Sequence, residues 1–352
     1  MSSATTTIAR SILVTGANGG LGSAIAGALA SGSARGSEYH GLYTVRNVEK
    51  ATDLRRVLSQ TAATTHKHDV IEMDLGRLES VRQAARDINR RVAEKSLPPI
   101  RALVLNAAYM ESFEQNFTPD GFDMSFQVNY LSHFLLALML LPSMDKEHGR
   151  VVVLGSYTHD PRDKRATSRG WFAGDQWKTL FHDTESLAKG SWSSSAEFPD
   201  EAGGIRRYGA GKLCLLMMMH ELQSRLLDDP TLSKICVVGV DPGGMGSSLF
   251  RRTGFFIRAF APTLLPYVAP IIGLFTENPR VRTTKRSASD VLHAAFDTET
   301  LGEYPRDVYV DGRTPATTSE ESRDPEKRKA LWTDSVELVQ IKEADTVLAR
   351  WQ

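Results

Sequence analysis

The sequence predicts an α/β protein built on a doubly wound parallel sheet. Short apolar runs typical of buried strands alternate along the chain with stretches of helical periodicity. A glycine-rich turn joins the first strand to the first helix, and small or polar residues follow several later strands, where open α/β sheets bind their ligands. The 352 residues are enough for one enlarged domain, which we expect to span 1–352.

The first strand and its turn predict a dinucleotide site. Residues 11–14 are followed by Thr15 and by glycines at 16, 20 and 22, with Asn18 and Leu21 between them, and an alanine-rich helix continues to residue 30. Glycines allow a ligand to approach the backbone, and the N–H groups at a helix N-terminus favour an anion such as a pyrophosphate. The G-x-x-x-G-x-G spacing is also compatible with an ordinary strand-to-helix turn.

The following strands end in further candidate cofactor contacts. We expect strands at 40–45, 70–75, 102–105, 150–154, 235–240 and 307–310. Arg46, after the second strand, favours a 2′-phosphate and therefore NADP(H) over NAD(H), although a solvated arginine is the alternative. The other candidates at strand ends are Asp74, Leu75, Asn106, Ala107, Ala108, Pro242, Gly243 and Ser247.

Three polar side chains indicate proton-transfer chemistry. Ser156 follows the fifth strand, and Tyr208 and Lys212 share a face of a helix predicted over 208–222 because they are four residues apart. A neighbouring ammonium stabilises phenolate, so we expect it to lower the pKa of Tyr208 and make the phenol a proton donor and acceptor. Asn129 interrupts an apolar helix predicted over 122–141, either as a packing residue or as a site where the helix opens to a water.

Two stretches lack clear periodicity. Residues 157–207 contain three of the five tryptophans and are either a lid-like segment or a partly disordered surface insertion. Residues 248–285 are strongly apolar but contain prolines at 262, 266 and 270, so we expect a substrate-pocket wall, with shallow membrane contact as the alternative to a transmembrane span. A polar, exposed stretch at 312–325 and an amphipathic helix at 327–341 lie in a C-terminal extension, 311–352.

Composition excludes some partners. Forty-two basic and 42 acidic residues give no net charge that would attract nucleic acid or an anionic membrane. The two cysteines, Cys214 and Cys236, form no C-x-x-C pair, and the first ten residues do not resemble a secretory signal, so we expect a reducing, cytoplasmic location. His66 and His68 have no third partner at metal-ligand spacing, so no metal is expected.

Together these motifs resemble the short-chain dehydrogenase/reductase family. The resemblance runs from about residue 11 to residue 310, and its later part looks like the retinol dehydrogenase and protochlorophyllide reductase branch and like fungal 3-ketosteroid reductases. It implies a Rossmann-type sheet of about seven strands in the order 3-2-1-4-5-6-7, with an insertion before the tyrosine helix. Two features depart from the family pattern: Ala108 replaces its usual glycine, and 52 positions separate Ser156 from Tyr208.

The resemblance also implies roles for the site residues. Ser156 would bind a substrate carbonyl, Tyr208 would act as acid or base, and Lys212 would hold the nicotinamide ribose. Asn129 would bind a water that links Lys212 to solvent. The implied protein is an NADP(H)-dependent oxidoreductase acting on a bulky ketone, aldehyde or alcohol such as a steroid, retinoid or polycyclic metabolite, either monomer or homodimer. The alternatives are a non-catalytic NADP(H)-binding regulatory protein and a sugar epimerase or dehydratase, which the glycine spacing disfavours.

Overall fold

The computed structural model describes residues 10–32, 39–60, 66–245 and 278–352. Its centre is an eight-stranded sheet in the order β3-β2-β1-β4-β5-β6-β7-β8, parallel except for β8, which runs antiparallel to β7. The strands are β1 (Arg10–Val14), β2 (Tyr39–Val45), β3 (His68–Glu72), β4 (Ile100–Leu105), β5 (Arg150–Leu154), β6 (Cys236–Asp241), β7 (Val308–Asp311) and β8 (Thr314–Ala316). The order expected for the first seven strands is confirmed.

Helices cover both faces of the sheet. They are α1 (Gly20–Ala30), α2 (Thr52–Gln60), α3 (Leu78–Ala93), α4 (Met124–Phe126), α5 (Ser132–Leu140), α6 (Lys164–Thr167), α7 (Thr184–Lys189), α8 (Glu201–Leu227), α9 (Thr284–Phe296), α10 (Glu320–Arg323) and α11 (Pro325–Val339). Successive strand side chains point to opposite faces, so Leu103 packs with the layer of α3, α5 and α8, and Val104 packs with α1 and α9. The central strands are buried on both sides, which explains their continuous apolar sequences.

The helix predicted over 122–141 is continuous but irregular. A π-helical turn, Gln127–Leu131, joins α4 to α5. Within the described part of the chain, 124–143 is the segment long and apolar enough to cross a membrane, yet 89% of its most apolar window is buried inside the protein. It is therefore a core helix of this fold.

Helix α8 begins seven residues earlier than predicted. The Asp200 side chain accepts a hydrogen bond from the Gly203 N–H at 2.9 Å and caps the helix. The sequence prediction placed the start at Tyr208 because residues 157–207 lack clear periodicity. The structure shows why a glycine stands at 204: a Cβ there would lie 2.1 Å from the carbonyl oxygen of Glu111.

The inserted segment 157–207 is ordered by contacts with the first turns of α8. The Arg206 guanidinium stacks over the Trp177 ring at 3.9 Å and donates to the Trp171 carbonyl at 3.1 Å. Arg207 donates to the Ser193 carbonyl at 2.5 Å. Both arginines are buried, so the insertion is a packed cover on this end of the molecule.

The C-terminal extension packs on the core. The prediction that 312–325 is exposed holds only in part, because Thr318, Ser319 and Ser322 are buried although most of β8 is exposed. Further along, Trp332 of α11 is 1% exposed and meets the Phe134 ring of α5 edge-on at 4.9 Å. The extension therefore covers a helical face of the sheet domain.

Candidate active site

The carboxyl ends of β1 and β4 meet at a threonine hydroxyl. Thr15 Oγ1 accepts the N–H groups of Asn106 and Ala107, both at 2.9 Å, and lies 3.1 Å from Nε2 of His133. The Asn106 amide donates to the Thr15 carbonyl at 2.7 Å. These bonds hold the glycine turn against the Asn106–Ala108 segment, as two separate sequence motifs predicted.

The glycine turn forms a cradle that no side chain fills. Gly16 has φ of 65°, and a Cβ at Gly22 would lie 2.4 Å from the Gly16 carbonyl oxygen. The N-terminus of α1 has no acidic residue in its first turn and no side chain capping it. Because the free N–H groups and the helix dipole favour an anion, these residues fit a dinucleotide pyrophosphate.

Basic and polar side chains surround the expected adenosine end. Arg46 is exposed at the end of β2 and lines the same cavity as Lys50. Asp74 also lines it, with Oδ1 accepting the Gly76 N–H at 3.0 Å. The Asn18 side chain accepts the Leu54 N–H at 3.1 Å, so it supports α2, and Asn18 also lines the cavity.

The three predicted reaction groups converge at the end of β5. The Tyr208 hydroxyl lies near the Ser156 side chain, whose polar influence acts to lower the pKa of the phenol. The Lys212 ammonium donates to the Leu154 carbonyl at 2.8 Å and lies 5.9 Å from the centre of the Tyr208 ring. Tyr208 and Lys212 are almost fully buried, and all three side chains line one cavity.

The ionisation of this group differs from the sequence prediction. Burial raises the pKa of Tyr208, and the nearby Ser156 side chain opposes that shift only in part. The expected lowering by Lys212 is not seen, because that ammonium points to the Leu154 carbonyl and is itself desolvated. Burial lowers the pKa of Lys212 to about 8, with the Asp241 carboxylate opposing the change.

Asn129 lies in the π-helical turn with both side-chain polar atoms occupied. Its Oδ1 accepts the Tyr109 N–H at 2.7 Å, and its Nδ2 donates to the Tyr109 carbonyl at 2.9 Å. The side chain therefore fixes the chain after β4. This contact reaches a backbone segment that the sequence does not show to be near, and the binding of a water by Asn129 stays a prediction.

The turn after β6 lies at the end of the cavity where the nicotinamide is expected. Gly243 has φ of 74°, and Pro242 and Gly243 line the cavity, whereas Ser247 and the apolar stretch 248–277 lie outside the described residues. Beside the turn, Arg165 of the insertion approaches the Asp241 carboxylate at 3.4 Å and that of Asp311 at 3.2 Å.

One cavity of about 860 Å³ joins these parts. The predicted residues that line it are Gly16, Asn18, Gly20, Leu21, Gly22, Arg46, Asp74, Leu75, Asn106, Ala107, Ala108, Ser156, Tyr208, Lys212, Pro242 and Gly243. Thr15 and Asn129 lie behind the lining and support it. The cavity ends among mainly apolar side chains, which include Tyr109, Met110, Phe117, Tyr157 and Trp171.

Sequence reasoning missed two buried histidines. His133 contacts Thr15, and burial lowers its pKa to about 3, so the ring is neutral. His159 bonds to the Ser156 carbonyl. The only signal in the sequence is position: His133 is one helical turn after Asn129, and His159 is three residues after Ser156.

The fold and site define a nicotinamide-dependent oxidoreductase of the Rossmann type, and comparison identifies the family. The family model described as short chain dehydrogenase matches residues 10–164. The short-chain dehydrogenase iccH of Talaromyces variabilis is 46% identical over 359 residues, which cover 97% of this chain and 98% of that relative. The chain belongs to the short-chain dehydrogenase family.

More distant matches agree with this assignment. Protochlorophyllide reductase A of Oryza sativa subsp. japonica is 29% identical over 93% of this chain and 80% of that protein. The crystal structure of landomycin C-6 ketoreductase LanV with bound NADP and rabelomycin has the same fold, with a TM-score of 0.54 and 18% identity over 87% of this chain and 96% of that chain. The resemblance predicted from the motifs is confirmed.

Proposed function

We propose that the protein is an NADP(H)-dependent carbonyl reductase for a bulky hydrophobic substrate. In the reverse direction it would oxidise the corresponding alcohol. The observation that carries this proposal is the convergence of Ser156, Tyr208 and Lys212 in the cavity that also contains the glycine cradle. A non-catalytic NADP(H)-binding protein has no need of these three groups in one place.

The protein groups supply a proton and stabilise charge. A bound nicotinamide supplies the hydride in reduction or accepts it in oxidation. Ser156 Oγ donates a hydrogen bond to the substrate oxygen, and Tyr208 transfers its proton to that oxygen as negative charge develops. The raised pKa of Tyr208 keeps the phenol protonated near neutral pH and therefore favours the direction of reduction. Lys212, charged below about pH 8, holds the ribose.

The preference for NADP(H) depends on the end of β2. Arg46 is exposed there beside the cavity, and Lys50 provides a second cation on the same wall. Guanidinium groups bind phosphate through paired, charge-assisted hydrogen bonds. The NADP bound to the similar fold of LanV supports this choice.

A bulky, largely apolar substrate fits the far end of the cavity. Tyr157, Trp171 and Phe117 give this end broad ring surfaces, and Trp171 comes from the insertion, to which we assign the role of a lid. The rabelomycin in the LanV structure supports a polycyclic substrate. Cys214 and Cys236 are free and buried, which is consistent with a reducing compartment, and we propose the cytoplasm.

The test is loss of NADPH fluorescence with a panel of polycyclic, steroid and retinoid carbonyl compounds. We expect turnover by the natural protein and at least about a hundredfold lower kcat for Tyr208→Phe, since a positioned acid contributes that much. Tyr304→Phe is the matched control, because it removes a phenol hydroxyl from a tyrosine that does not line the cavity, and we expect kcat to be nearly unchanged.

Two results would contradict the proposal. Turnover that survives in Tyr208→Phe removes the assigned acid. A natural protein that binds NADPH but reduces no member of the panel supports the regulatory alternative.

A further inference from the structure

We propose that His159 is a positioning residue that holds the catalytic Ser156 in place and connects it to the C-terminal extension through Ser319. The inference rests on the proposed function in one respect, the role of Ser156. It concerns a part of the protein that the reaction itself does not touch.

The imidazole lies between two backbone groups that are distant in sequence. His159 ends a short 3-10 turn, Tyr157–His159, and its side chain is almost completely buried. Its Nδ1 lies 2.5 Å from the Ser156 carbonyl oxygen, and its Nε2 lies 3.0 Å from the Ser319 backbone nitrogen. The second of these bonds joins His159 to a residue 160 positions later in the chain.

The two partners define one tautomer. The Ser156 carbonyl can only accept a hydrogen bond, so Nδ1 carries the proton. The Ser319 N–H can only donate, so Nε2 presents its lone pair. Protonation of Nε2 would set two N–H groups against each other. Burial also disfavours the cation and lowers the pKa of His159, although the carboxylates of Asp160, Asp163 and Asp241 oppose that shift.

The ring stabilises the peptide from which the catalytic hydroxyl projects. The Ser156 carbonyl oxygen accepts two hydrogen bonds from His159. One comes from Nδ1 of the ring, and the other comes from the backbone N–H at 3.1 Å. Ser156 Oγ meets the Thr158 hydroxyl at 2.9 Å and accepts the Thr158 N–H at 3.3 Å, so its direction depends on the orientation of this turn. Removal of the ring leaves the backbone carbonyl of Ser156 with one hydrogen bond fewer.

The far side of the ring is anchored to a capped helix. Ser319 is the N-cap of α10, where its Oγ accepts the Ser322 N–H at 3.2 Å. The His159 ring also packs edge-on against Tyr309 of β7, with ring centres 5.9 Å apart. The extension after β7 is thereby part of the support of the catalytic serine.

A second histidine offers a matched control. His220 of α8 is also buried, and its ring lies 2.8 Å from the Thr318 hydroxyl and 2.5 Å from the Asp307 carboxylate. It connects to the same extension one residue before Ser319, and neither of these bonds reaches Ser156. Replacement of His220 therefore perturbs the extension without removing the bond to the catalytic turn.

The kinetic test uses His159→Asn, His159→Gln and His220→Asn in the full-length enzyme with NADPH and the best carbonyl substrate of the panel. The shorter Asn amide can take the place of Nδ1 as donor to Ser156, whereas the longer Gln amide can only replace Nε2. We expect His159→Gln to lower kcat about tenfold, with the KM for NADPH changed by less than about twofold. We expect His159→Asn to restore most of kcat and His220→Asn to preserve it.

Equal kcat values for the natural enzyme and His159→Gln would overturn the proposal. So would equal losses of kcat in His159→Gln and His220→Asn, because they would indicate a general effect of loosening the extension.

A spectroscopic test separates this proposal from the proposed function. The nitrogen-15 chemical shifts of labelled histidine, assigned by the loss of one ring in His159→Gln, should show a neutral ring with the proton on Nδ1. A proton on Nε2, or on both nitrogens, at pH 7 would overturn the proposal. If the natural protein reduces no carbonyl compound but the shifts show the Nδ1 tautomer, the proposed function fails and the structural connection remains.

Discussion

Replacement of Thr15 by valine tests the junction on which the cofactor turn depends. Valine has the size and branching of threonine, so the substitution leaves no cavity and removes only the hydroxyl. In the structure that oxygen accepts the N–H groups of Asn106 and Ala107 and can donate its proton to Nε2 of His133. The His133 ring can accept it because burial lowers its pKa to about 3.

The loss in free energy of unfolding depends on which groups keep a hydrogen-bond partner once the Thr15 hydroxyl is removed. Asn106 N–H keeps a second acceptor, the Val104 carbonyl at 3.0 Å. The Ala107 N–H and the His133 Nε2 each lose their bond to Thr15. A polar group left without a partner costs about 1–3 kcal/mol, so the free energy of unfolding of Thr15→Val should fall by about 2–6 kcal/mol. Thr15→Ser keeps the hydroxyl and should lose about 1 kcal/mol, for one methyl group.

Urea denaturation of the two variants and the natural protein measures these differences directly. The dissociation constant of NADPH should also rise in Thr15→Val, since the same bonds align the glycine turn with the Asn106–Ala108 segment. If Thr15→Val is no less stable than Thr15→Ser, the hydroxyl does not support this junction and the reasoning is refuted.

Three further outcomes can be measured on the same preparation. Gly22→Ala places a Cβ 2.4 Å from the Gly16 carbonyl oxygen. The variant should lower the free energy of unfolding, measured by thermal unfolding, by about 1–3 kcal/mol and should abolish NADPH binding. Gly244→Ala is the control, because its Cβ meets its nearest neighbour at 3.4 Å and neither effect is expected. Arg46→Ala should weaken NADPH about tenfold or more and NADH less than about twofold by fluorescence titration; equal losses would refute the 2′-phosphate contact. The kcat/KM for NADPH should fall as pH rises through about 8, where Lys212 loses its charge, and a flat profile from about pH 7 to 9 would contradict that ionisation.

Local chemistry explains what the sequence alone determined. The central strands are short apolar runs, and the glycine turn, the Tyr208–Lys212 pair and Ser156 are defined by spacing within one element or at its end. The sheet order and the family followed from these motifs and are confirmed. Residues brought together by parallel strands could be predicted because their carboxyl ends meet at one edge of the sheet.

Contacts between distant segments decided the rest. The early start of α8 depends on the close approach of Gly204 to Glu111, and the order of the insertion depends on two buried arginines that read as solvated charges in the sequence. The pKa directions at Tyr208 and Lys212 follow from burial, which helix spacing does not report. The bond from His159 to Ser319 spans 160 positions, so only the folded chain brings the C-terminal extension to the catalytic serine.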